Sequence, residues 1–129
     1  MILIDTNLLI DHFNGSSSVL SDLVKKEEVA LCGIVLAELL HGICSHKERE
    51  LIQNSIKDFE WIQIEDPIWE SVGNNLNLLK KKGLNFPFQD VILATLCIKQ
   101  NLLIATNDKH FEKISTVLTD LKIYCFDSV

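Results

Sequence analysis

Met1-Ile2-Leu3-Ile4-Asp5-Thr6-Asn7 opens the chain: an aliphatic run that stops on an acid, a hydroxyl and an amide. A run this short and rich in Ile predicts a strand buried on both faces, as in a parallel sheet. The polar triplet marks the end of the strand and the entry to a helix. Ligands of open α/β sheets collect outside the carboxyl ends of the strands. Asp5 is therefore expected at the edge where such folds keep their chemistry.

Outward from this stretch, strands and helices alternate. Asp5 or Thr6 can cap a helix through Phe13, and Asn14-Gly15-Ser16-Ser17-Ser18 breaks it. A second helix is predicted over Val19 to Lys26. Glu28 to Cys32 reads as a strand with Gly33 as its turn. Ile34 to Cys44 reads as a helix, and Ser45 to Asp58 as an amphipathic one. Phe59 to Ile64 alternates and fits an edge strand. Asp66-Pro67 starts a helix that Gly83 stops, and Phe86 to Gln89 is a loop. Asp90 opens an almost wholly apolar helix. Leu102 to Ala105 is a buried strand, Thr106-Asn107-Asp108 leads into a short helix, and Leu121 to Phe126 is a last strand. This alternation predicts an α/β fold: one domain over 1–129, a mainly parallel β-sheet flanked by helices on both faces.

The chain of 129 residues, 47% hydrophobic, is long enough for a real core. Its apolar start has no basic leader and meets Asp5 early, so no signal peptide is expected. No apolar run nears the roughly 18 residues of a membrane span. A soluble, cytoplasmic protein is expected. Cys32, Cys44, Cys97 and Cys125 form no C-x-x-C pair and read as small core residues. The net charge of −6 argues against binding nucleic acid by bulk electrostatics. It does not exclude a nuclease whose acids hold cations.

Asp5, Glu38, Asp90 and Asp108 all fall at strand ends or on the helix that follows. Each has an ordinary structural reading. Asp5 and Asp108 could be caps, and Asp90 could stabilise a helix N-terminus. Glu38 fits such a role least. Its helix, Ile34-Val35-Leu36-Ala37-Glu38-Leu39-Leu40, is expected to be buried, and an unpaired buried charge is costly. No Lys or Arg lies between Ala30 and His46, which leaves His41 as its local partner. Like charges gathered at one edge need neutralising. Oxygen donors suit Mg²⁺ or Mn²⁺ rather than zinc. The chemistry such a site suits is phosphodiester hydrolysis.

Four motifs in order, Asp5-Thr6-Asn7, Glu38-Leu39-Leu40-His41-Gly42, Asp90-Val91-Ile92-Leu93-Ala94 and Thr106-Asn107-Asp108-Lys109-His110-Phe111, resemble those of PIN-domain proteins. With the chain length, they are similar to the small VapC-type toxins of toxin–antitoxin pairs. The resemblance implies a Mg²⁺- or Mn²⁺-dependent endoribonuclease that leaves a 5′-phosphate. It implies Asp5, Glu38, Asp90 and Asp108 as metal-binding acids, with Asn7 setting the first loop and Thr106 hydrogen-bonding near the site. It further implies an RNA substrate, a small antitoxin that blocks the site, and a homodimer. Two other readings belong to the same family: a PIN-like binding module without catalysis, and an RNA-processing nuclease outside toxin–antitoxin systems. A receiver-like signalling domain also has an acidic pocket, but needs a Lys after a late strand, where Thr106-Asn107 stands.

The remaining polar residues suggest less. His12, His41, His46 and His110 form no H-E-x-x-H and read as structural or surface residues. Lys80-Lys81-Lys82 reads as a solvated helix end, or more sharply as a contact for RNA phosphates. Asp11, Asp58, Asp66, Asp120 and Asp127 read as surface or cap residues.

Overall fold

In a computed structural model describing residues 1–15 and 19–126, five strands form one all-parallel sheet in the order β3-β2-β1-β4-β5. The strands are β1 (Ile2–Ile4), β2 (Val29–Cys32), β3 (Glu60–Ile62), β4 (Leu103–Ala105) and β5 (Lys122–Ile123). Every residue of β1 and β2 is buried, as unbroken aliphatic runs in a covered sheet should be. β3 is a partly exposed edge.

The helices among the described residues are α1 (Thr6–Phe13), α2 (Val19–Lys26), α3 (Gly33–His41), α4 (His46–Ile56), α5 (Asp66–Lys81), α6 (Phe88–Gln100) and α7 (His110–Ser115). From β1 the chain steps outward through β2 to β3, then crosses back to β4 and on to β5. Right-handed crossovers put α1 to α4 on one face and α5 to α7 on the other. The point where direction reverses lies between β1 and β4, and its crevice is the natural site for a ligand. Asp5 N–H still donates to Ala105 O at 2.9 Å, which holds the ends of these two strands together.

Several boundaries differ from the sequence expectation. Gly33 is the first residue of α3 rather than a turn, and α3 ends at His41 rather than Cys44. α6 begins at Phe88, so Asp90 sits in its first turn instead of opening it. β5 is shorter than the apolar run that contains it. Only Cys32 and Cys97 are core residues; Cys44 and Cys125 are exposed, because they lie beyond the ends of α3 and β5. Ser16-Ser17-Ser18 and Asp127 lie outside the described residues. Gly83, at φ +76°, ends α5 as expected: Leu84 N–H reaches back to Leu79 O at 2.9 Å and Gly83 N–H to Lys80 O.

The core runs through the sheet and α6, whose residues Val91 to Cys97 are all buried. Phe111 and Ile114 tie α7 into it with no exposed surface. This anchorage is expected to matter beyond stability, because α7 and its approach carry Asp108 and His110. Phe111→Ala should lower the unfolding free energy by about 3–5 kcal/mol. Urea unfolding in chelator measures this; a loss below about 1 kcal/mol, the size of an ordinary surface change, would show that Phe111 is not the anchor.

Candidate functional site

The acids meet at the crevice, but in two linked halves rather than one tight knot. In the first half, Asp5 is buried and caps α1, its Oδ1 accepting from Thr6 N–H at 2.8 Å. Thr6 Oγ1 in turn donates to Glu38 Oε1 at 3.1 Å. In the second half, ligand atoms of Asp90, Asp108 and His110 all lie within 4.8 Å of one another, a spacing that could hold a metal ion. His110 Nδ1–H donates to Asp90 Oδ2 at 2.9 Å and lies 3.5 Å from Asp108 Oδ1.

One hydroxyl joins the halves. Thr106 Oγ1 donates to Asp5 Oδ2 at 2.7 Å and accepts from Asp108 N–H at 2.9 Å. Asp108 Oδ1 then accepts from His110 N–H at 2.9 Å, a local turn that starts α7. A further link comes from Asn107, whose side-chain amide donates to Asp11 Oδ2 and fastens this loop to α1.

Burial is the main electrostatic fact here. It pushes the Asp5 carboxyl up to about 6 against the lowering effect of its bonds from Thr106 and Thr6, and the negative charges of Asp90 and Glu38 add to the rise. Burial also raises Asp90; the hydrogen bond from His110 works against this, while Asp108 pushes the same way as burial. A divalent cation would relieve both carboxylates, and the donor set of acids with one imidazole at close spacing suits one.

Among the residues singled out from sequence, Asp5, Glu38, Asp90, Asp108 and Thr106 all border this crevice. Asn7 is exposed on α1 and makes no side-chain hydrogen bond among the described residues. His41 is not the partner of Glu38: it is exposed at the end of α3, and Thr6 supplies the donor from another element. Nor is α3 deeply buried. Only Val35 and Leu39 are fully covered, because the helix lies on the outer flank of the sheet. His110 is the residue that sequence reading missed. It carries no H-E-x-x-H spacing, and its partner Asp90 is 20 residues away. Its one local signal is its place two positions after an acid at a helix start. Asp11, read as a surface or cap residue, is partly exposed and accepts from Asn107.

The fold is thus a five-stranded parallel sheet with acids gathered at its switch point. Residues 2–117 match the PIN domain family, and the chain belongs to that family. It is 32% identical over 127 residues to ribonuclease VapC1 of Methanocaldococcus jannaschii, covering 95% of this chain and 86% of that protein. It is 28% identical to ribonuclease VapC2 of Rickettsia felis, covering 92% and 95%. The fold matches that of VapBC2 from Rickettsia felis, solved bound to a promoter DNA fragment, with a TM-score of 0.82 at 24% identity over 96% and 98% of the two chains. It also matches DNA-bound VapBC from Salmonella typhimurium, with a TM-score of 0.83 at 16% identity over 95% and 96%.

The raised Asp5 carboxyl predicts a pH effect of definite sign. A carboxyl at about 6 in the folded chain against 3.8 unfolded favours folding most below the lower value, and the benefit is lost as pH rises through 6. At 1.36 kcal/mol per pKa unit, the metal-free parent should lose roughly 3 kcal/mol between about pH 4 and 7 that Asp5→Asn does not lose. Asn retains the cap. Urea titrations of both proteins across this range, in chelator, measure the difference. A constant gap between them at every pH would remove Asp5 as the source.

Proposed function

We propose that this chain is a divalent-metal-dependent endoribonuclease and the toxin of a toxin–antitoxin pair. The observation that carries the reading is the Asp90, Asp108 and His110 group, with ligand atoms within 4.8 Å of one another, at the switch point of a PIN-family sheet. The two relatives named as VapC ribonucleases, matched along most of their length, support it. In this reading residues 1–129 form one nuclease domain that acts in the cytoplasm. No helix among the described residues is long and apolar enough to cross a membrane.

The cation is Mg²⁺ or Mn²⁺, held by Asp90 and Asp108, with Asp5 and Glu38 completing the acidic wall of the crevice. When bound, it supplies activation of water and neutralisation of charge on the phosphate oxygens. The protein's own groups set the geometry. Thr106 fixes one Asp5 oxygen and Thr6 N–H the other, which limits rotation of that carboxylate. Thr6 Oγ1 orients Glu38, and His110 orients Asp90. Such outer hydrogen bonds hold ligand oxygens in place before a cation arrives.

The partners follow from the same reading. An antitoxin that silences the site must meet buried carboxylates, and an Arg or Lys of its tail supplies the matching charge. A homodimer would cover the half-exposed Leu36 and Leu40, one turn apart on α3.

Asp90→Asn should abolish RNA cleavage in Mg²⁺ or Mn²⁺ with an unchanged circular dichroism spectrum. Mn²⁺ at a hundredfold excess over Kd should stabilise the parent by about 2.7 kcal/mol and the variant much less. Cleavage assays and melting curves with and without Mn²⁺ test both statements. Full activity in the variant, or an equal metal response, would remove Asp90 from the site.

A further inference from the structure

Phe88 has an apolar ring and no core to enter. It is 55% exposed, although it begins α6 and stands two positions before buried Asp90. Its neighbour Phe86 is half-buried and packs edge-on against His110, with ring centroids 5.7 Å apart. The ring of Phe86 therefore borders the acidic group, and the exposed ring of Phe88 follows it at the start of α6.

A basic step leads to the same place. Lys80, Lys81 and Lys82, all exposed, form the last turn of α5 and its cap. α5 packs against α6, and only the short link through the Gly83 turn separates the end of one from the start of the other. From Lys80 to Gln89 there are three cations and no acid, in a chain of net charge −6. Lysines at a helix C-terminus also complement its dipole. That effect does not account for an open phenyl ring beside them.

We propose that Lys80, Lys81, Lys82 and Phe88 form a docking track for single-stranded RNA, with one unpaired base stacked on Phe88 and backbone phosphates on the lysines. The proposal rests on the nuclease reading and adds to it the surface that receives the RNA. An acidic crevice on an acidic protein repels a polyanion, so local cations must supply the attraction. A phenyl ring binds a base face without regard to sequence, but only a base free of its neighbours. Bases inside an A-form duplex are not free, so the track selects loops and unpaired ends.

The test uses the full chain and a short fluorescein-labelled RNA, single-stranded or annealed to its complement. Fluorescence anisotropy in chelator across a salt series gives affinity, and cleavage in Mn²⁺ gives KM and kcat. The single strand should bind more tightly than the duplex. Phe88→Ala should weaken single-strand binding about tenfold and Phe88→Trp should retain it. Replacing the three lysines with Gln should lower the salt slope by about 2, at 0.7 per phosphate on a single strand. In each weakened variant KM should rise while kcat holds. Equal affinity in parent and variants, or equal binding of duplex, would overturn the track. So would a Phe88→Ala protein that changes oligomeric state by light scattering with unchanged RNA affinity, since Phe88 would then be a protein contact. A parent that cuts RNA while its variants bind and cut alike sinks the track alone; a parent that neither binds nor cuts RNA sinks the nuclease reading as well.

Discussion

The bond from Thr106 Oγ1 to Asp5 Oδ2 ties together everything at the crevice. It exists because β1 and β4 pair in parallel and end at the same level, with Asp5 N–H still held by Ala105 O. The residue after each strand then projects over the same edge. A shift of one residue in this pairing would turn the side chains of β1 to the opposite faces and carry Asp5 away from Thr106. The aliphatic triplet Ile2-Leu3-Ile4, buried almost completely, makes such a shift costly. The apolar core thus sets the position of the polar site at its edge.

That site opposes the stability of the fold that builds it. Burial lifts Asp5 and Asp90, and like charges nearby add to the strain. The chain moderates this with hydroxyls, backbone N–H groups and one imidazole rather than with Lys or Arg. Such donors orient a carboxylate without neutralising it, so its attraction for a cation survives. A guanidinium in the same place would satisfy the acids and close the crevice to metal.

Much of this was legible in the sequence because it is local. Ile-rich runs mark covered parallel strands, and acids at their ends mark the working edge. What failed was what tertiary contact decides. Glu38 was expected to depend on His41, three residues away, but its partner is Thr6, 32 positions earlier. The apolar composition of α3 suggested deep burial, whereas an outer-flank helix covers only one stripe of it. His110 read as a structural or surface residue because its partner Asp90 is brought by α6, and the bond at Asp11 was not legible because Asn107 arrives from the loop after β4. Exposed Cys44 and Cys125 show the same limit: apolar neighbours in sequence do not fix which side of the surface a residue takes.

The central place of β1 has a consequence for synthesis. Asp5 and Thr106 are 101 residues apart in the chain, and β1 lies between β2 and β4. At about 5–20 residues per second, the ribosome makes β4 roughly 5–20 seconds after β1. Until then the middle of the sheet has one open side, and the crevice lacks Thr106, Asp108 and His110. A nascent chain is therefore unable to assemble the acidic edge, however well its first half has collapsed. Non-local pairing of this kind also makes folding slow relative to helical proteins of the same size. The interval between translation and completion of the edge is a period in which a binding partner can engage the surface ahead of any RNA.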